Sequence, residues 1–187
     1  MKKITALILA LVMIFAVVPF TASAADDENI ATMWICAEQH NKTSIWHIFL
    51  YFKNNTDETI KVGKYDLAPY DTVSVGCFGT EGPRGSGVYY NLESDLTHYS
   101  HLVGLSTELN ESELSAVSKK MRSFGNWWDP IFNCYYFASV VWNQGGGRSV
   151  PFLIFPGFGR FFILNKGGGS MNVDLFADKP VYRYNEL

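Results

Sequence analysis

The chain has 187 residues, of which 48% are hydrophobic and 16% aromatic; this is enough apolar surface for one folded domain and excludes a disordered chain. Its 15 Lys and Arg stand against 18 Asp and Glu, a formal charge of −3. That balance argues against nucleic acid or an anionic membrane as the main partner.

Residues 1–24 read as an export signal. Lys2 and Lys3 supply the positive start, residues 4–18 an uncharged apolar core, and Ala22-Ser23-Ala24 a small-residue cleavage site. Cleavage after Ala24 leaves a single domain, residues 25–187, in which 13 basic residues face 18 acidic ones. The apolar run is short for a membrane span, and no cysteine follows the cut to carry a lipid. The expected product is secreted, without membrane attachment after cleavage, and monomeric.

The first half of the mature chain is strand-rich. Residues 32–37 and 44–52 are β-favouring runs with a turn at 41–43 between them. A second turn at 54–57 precedes a strand at 58–64. A turn at 68–71 leads to a strand at 72–78, and a glycine-rich loop at 79–87 to a strand at 88–92. One more strand is predicted over 101–109. Then Asn110-Glu111-Ser112-Glu113 forms a capping box, and Leu114, Val117, Met121 and Phe124 follow at helical spacing, so 111–124 is predicted as an amphipathic helix. Asn133 caps a second, short and apolar helix that begins at Cys134 and ends before Gly145-Gly146-Gly147. The tail, with Pro151, Pro156 and several glycines, reads as a loop-rich wrapping segment with an apolar piece at 161–164.

Three cysteines in an exported chain leave at least one unpaired within the chain. Cys36 and Cys77 lie in strand-like segments, and either they form a disulfide or all three thiols are reduced and buried. Cys134 lies in the first turn of its helix, where unpaired N–H groups and the macrodipole favour a thiolate. A thiolate is the nucleophilic form.

His47 is the candidate base for Cys134. Its strand is apolar on both faces, and a histidine buried there needs a hydrogen-bonding reason, either catalysis or a structural bond to a carbonyl. His40 lies in a polar turn. His98 and His101 are spaced to touch a metal, but nothing nearby completes a ligand set, so no metal or other cofactor is expected. His101 is the fallback base. If the turn at 54–57 closes a regular hairpin, His47 faces Lys64, which then occupies the position of a third, orienting residue. Charged lysine cannot accept a hydrogen bond, and a bulge or slip would present Tyr65 or Gly63 instead. Trp46, Tyr90 and Tyr135 are the candidate substrate-binding residues. Tyr89, Trp127, Trp128 and Tyr136 are similar, with core or rim packing as the other reading. Glu93 and Asp129, in polar turns, read as solvated carboxylates or as partners for a substrate amine.

A histidine on an early strand and a cysteine heading a later helix, within Asn133-Cys134-x-x-Phe137-Ala138-x-x-Val141-Trp142-Asn143, resembles the circularly permuted papain-like group. That group includes relatives of the NlpC-type cell-wall peptidases and the lecithin:retinol acyltransferase-like proteins. Val62-Gly63-Lys64-Tyr65, Gly76-Cys77-Phe78-Gly79 and Val88 to Glu93 are similar to segments of small exported proteins of Gram-positive bacteria. The resemblance covers roughly residues 44–143. It implies an α+β fold, with an antiparallel sheet packed against the helix that carries the nucleophilic cysteine. It also implies a thiol hydrolase acting on an amide bond through an acyl-enzyme, with Cys134 as nucleophile and His47 as base. In an exported bacterial protein the available substrate is a peptide or peptidoglycan-like amide. An acyltransferase or deamidase would use the same pair, and a secreted non-catalytic binding module is the competing reading. Two positions depart from the group's pattern: Trp46 precedes the histidine where glycine is common, and Lys64 stands where His, Asn or Gln is usual.

Overall fold

The structure, a computed structural model, describes residues 28–38, 47–80, 82–95, 102–125, 127–152, 155–171 and 179–187. The export signal, His40, Trp46, His98 and His101 lie outside the described residues. Strands β1 (Ala31–Glu38), β2 (His47–Asn54), β5 (Thr72–Phe78), β6 (Gly87–Tyr90), β7 (Val103–Leu109), β8 (Gly169–Ser170) and β9 (Tyr182–Arg183) form one antiparallel sheet. Its order is β8-β7-β1-β2-β5-β6-β9. A separate ribbon pairs β3 (Ile60–Val62) with β4 (Tyr65–Leu67). Among the described residues, three α-helices complete the α+β fold: α1 (Glu111–Arg122), α2 (Cys134–Trp142) and α3 (Pro156–Asn165).

Alternation along the strands decides which residues meet the helices. Met33, Ile35, Leu50, Phe52, Val73 and Val75 point to one face, where they join Val117, Phe137, Val141 and Trp142 in the main core. Each such fully buried aliphatic or aromatic side chain contributes about 1.5–3 kcal/mol. Cys36, Phe49, Tyr51 and Leu102 form a smaller cluster on the opposite face. Cys77 belongs to the main core, so Cys36 and Cys77 occupy opposite faces of the sheet. The two cannot pair, and all three cysteines are free thiols.

The predicted pairing of β2 with the strand after it does not form. Asn54, fully buried at the end of β2, donates from Nδ2 to the carbonyls of Glu58 (2.6 Å), Leu67 (3.2 Å) and Ala68 (3.0 Å). These bonds hold the β3–β4 ribbon as an excursion, and β5 returns to pair with β2 instead. The ribbon is fastened to α1: Ser118 accepts from Gly63 N–H, and Arg122 donates to the Gly63 carbonyl. Gly63, at φ +64, makes the tight turn that a side chain would strain.

The capping box at Asn110 is present, with Asn110 accepting from Glu113 N–H and the Glu113 carboxylate accepting from Asn110 N–H. The tail differs from expectation, since residues 156–165 form α3 rather than a loop. Pro156 sits in the first turn, where its fixed φ and missing N–H suit a helix start. Gly159 allows close approach: a Cβ there would run into Ile48 Cδ1 and lie 3.0 Å from the Tyr135 ring.

Candidate functional site

The loop before α2 is set by its own side chains. Asp129 accepts from the N–H groups of Ile131 (2.8 Å) and Phe132 (3.4 Å), an Asx-type turn that delivers Asn133 to the helix start. Asp129 therefore has a local structural use and is half-buried, not freely solvated. Asn133 accepts from the N–H groups of Tyr135 (2.9 Å) and Tyr136 (3.4 Å), which fixes the first turn around Cys134. Cys134 is the first residue of α2 and is 7% exposed.

His47 begins β2. Its ring stacks on Phe49, with centroids 5.6 Å apart and planes at 14°, and lies 4.5 Å from the Phe78 ring. The imidazole hydrogen-bonds Glu93, and it lies near enough to Cys134 for the thiol to raise its affinity for a proton. It therefore lies between the helix terminus and the carboxylate. Nε2 is 3.1 Å from Glu93 Oε1, and Ser74 Oγ donates to Glu93 Oε2 at 2.7 Å. The Glu93 side chain is fully buried, while that of His47 retains 17% exposure.

Burial of the ring works to lower the His47 pKa. The hydrogen bonds of Cys134 and Glu93, and their negative charges, outweigh it and push the value up to about 10. Glu93 also bears on Cys36, whose thiol is raised well above its ordinary value, first by burial and then by the nearby carboxylate.

Glu93 reaches this position through a local reversal. After β6 the chain passes through Asn91 at φ +62, a left-handed conformation that asparagine tolerates, and enters the 3₁₀ turn Leu92–Asp95. Asn91 N–H donates to the Ser74 carbonyl at 2.9 Å, which lays the turn over β5. Gly76 provides the room. A Cβ there would overlap Glu93 Oε1 and stand 3.0 Å from His47 Nε2.

Lys64 is not the orienting residue. It lies in the β3–β4 turn, where Nζ is 3.3 Å from the Tyr184 carbonyl and 4.3 Å from the Tyr184 ring centroid. The hairpin count behind that assignment fails because β2 pairs with β1 and β5, not β3. Tyr90 and Tyr135 are core residues, both fully buried. Tyr90 accepts from Lys64 N–H at 3.1 Å, and Tyr135 donates to the Pro151 carbonyl. Burial pushes each phenol up to about 12. Exposed aromatic side chains in the segment before α2 are Trp127 and Phe132, 46% and 40% exposed. Their rings are tilted against each other with centroids 5.5 Å apart, and Phe132 meets Tyr136 edge-on at 4.9 Å. Among the described residues no group of His, Cys, Asp and Glu has a metal-binding arrangement.

Sequence reasoning missed Ser74, Gly76 and the orienting position of Glu93. The available signal was Gly76, since a glycine inside a strand marks a close approach of other groups. Comparison of the chain with protein-family models, curated proteins and solved structures finds no match.

Proposed function

We propose that the protein is a thiol hydrolase of the permuted papain-like kind, with Cys134 as nucleophile, His47 as proton carrier and Glu93 as the residue that orients His47. One observation carries the reading: a single imidazole is hydrogen-bonded to a buried carboxylate and is acted on by the cysteine that heads a helix. The chain order, histidine on an antiparallel strand and cysteine at a later helix start, agrees with the resemblance and with the α+β fold.

Glu93 occupies Nε2, so Nδ1 is the nitrogen left to exchange a proton with the thiol. As His47 takes the thiol proton, the sulfur of Cys134 attacks a carbonyl carbon and forms a tetrahedral oxyanion. Asn133 takes up the N–H groups of Tyr135 and Tyr136, and the N–H of Cys134 is the donor assigned to that oxyanion. Collapse breaks the bond to the leaving group, which departs with the proton from His47, and leaves a thioester on Cys134. Water then attacks the thioester, His47 takes a proton from it, and the acid is released with the thiol regenerated.

The secreted setting makes a peptide amide of the cell wall the substrate class to test first. Incubation with purified peptidoglycan, followed by mass spectrometry, should show released fragments that are absent with a C134A variant. Wild-type protein quenched in acid should carry an added acyl mass on Cys134. The 7% exposure of Cys134 favours the competing reading, a binding module with a buried thiol. Fragment binding without release and without an acyl mass would establish that reading instead.

A further inference from the structure

The helix α3 presents its apolar side outward. Gly159 and Ile163 form its buried stripe, against Ile48, Tyr135 and the main core. At 100° per residue the opposite side carries Phe158, Phe161 and Leu164, which are 48%, 59% and 44% exposed. Phe155 at the N-cap extends the row and is 66% exposed. A helix of a soluble domain normally turns its polar side to water. A row of three phenylalanines and a leucine in the outward position needs a covering surface.

The charge pattern indicates what that surface is. Between Asp129 and Asp174 the sequence contains no Asp or Glu, yet it holds Arg148, Arg160 and Lys166. Lys166 caps the C-terminus of α3 and Arg148 donates to the Lys166 carbonyl, while Arg160, within α3, donates to the Ala37 carbonyl of β1. The chain is acidic as a whole, so this cationic neighbourhood is local. A second copy of the same face would set cations against cations. An anionic partner with an apolar interior satisfies both features at once.

We propose that α3 is a docking element for an anionic lipid surface, lying parallel to it with Phe155, Phe158, Phe161 and Leu164 in the headgroup–acyl boundary and Arg148 and Lys166 at the headgroups. Net charge pointed away from such a partner because it averages over a surface whose charges are segregated. The docking does not depend on the thiol chemistry, since it requires neither Cys134 nor His47.

The test is co-sedimentation of the chain from residue 25 onward, which contains every described residue, with vesicles of phosphatidylcholine alone or mixed with phosphatidylglycerol. Binding should appear with the mixed vesicles, weaken as salt is raised, and be equal for C134A. Phe158→Ser with Phe161→Ser should weaken it at least about tenfold. Both sites are solvent-facing, so the double variant should melt as the wild type does, and Lys166→Glu gives an independent variant that should also weaken binding. The proposal is overturned if mixed vesicles are not bound, or if the double serine variant binds unchanged. It is also overturned if that variant instead abolishes a concentration-dependent dimer, which would assign the face to a second copy.

Discussion

Glu93 holds His47 from 46 residues further along the chain, with Oε1 3.1 Å from Nε2 and the side chain wholly removed from water. A buried carboxylate is costly unless it is bonded, and here both oxygens are used, the second by Ser74 at 2.7 Å. The pair fixes which imidazole nitrogen remains for Cys134. Its supports give the first predictions.

Gly76→Ala should damage the site before it damages the fold. The added methyl would overlap Glu93 Oε1, in a buried carboxylate whose two oxygens are held by His47 and Ser74, and press on Phe78 Cε2 at 2.8 Å. Overpacking of this kind costs about 1–3 kcal/mol. Thermal melting should show that loss, and thiol labelling of the folded variant should show a slower Cys134. Unchanged melting and labelling would mean the glycine is there for another reason.

The stability of the protein should depend on pH through His47. The folded state raises this group from 6.5 to about 10, against the effect of burial and through Cys134 and Glu93, so it is the protonated ring that folding favours. The contribution is fully present below about pH 6.5 and is lost as pH rises through about 10. His47→Ala lacks it. The melting temperature of this variant should fall below wild type near neutral pH, and the gap should narrow toward pH 10. A gap that stays constant or widens contradicts the assignment.

How much of this was legible in the sequence depended on the range of the interaction. The capping box at Asn110 and the Asn133 cap before Cys134 are set by residues within one helical turn, and both are present. The partner of His47 is not local. Counting across a hairpin assumed that β2 pairs with the next strand, whereas three bonds from Asn54 to Glu58, Leu67 and Ala68 divert the chain into a separate ribbon. Lys64 consequently lies against Tyr184, and the orienting position falls to a glutamate in a turn whose composition reads as solvated. The burial of Glu93 is decided by Ser74, Gly76 and His47 together, and no single segment encodes it. α3 was hidden for a related reason: Pro156 and Gly159 read as breakers, yet one starts the helix and the other lets it approach Ile48 and Tyr135.

Asn133→Ala should cost about 0.5–2 kcal/mol, the usual effect of losing an N-cap. The N–H groups of Tyr135 and Tyr136 lose their acceptor, and the first turn around Cys134 loosens. Asn133→Ser keeps an acceptor and should restore most of the loss. Chemical denaturation of the two variants checks this, and equal destabilisation by Ser and Ala would point to a role other than capping.

The central claim is that His47, held by Glu93, activates Cys134, and the rate of iodoacetamide labelling at mildly acidic pH tests it most directly, with each cysteine resolved by peptide mass spectrometry. Cys36 and Cys77 are buried in opposite faces of the sheet and serve as internal references. Cys134 should label fast and the other two slowly. His47→Ala should slow Cys134 by about a hundredfold or more, and Glu93→Gln, which keeps the shape and removes the charge, by about tenfold. Equally sluggish labelling of Cys134 in wild type and both variants would contradict the account.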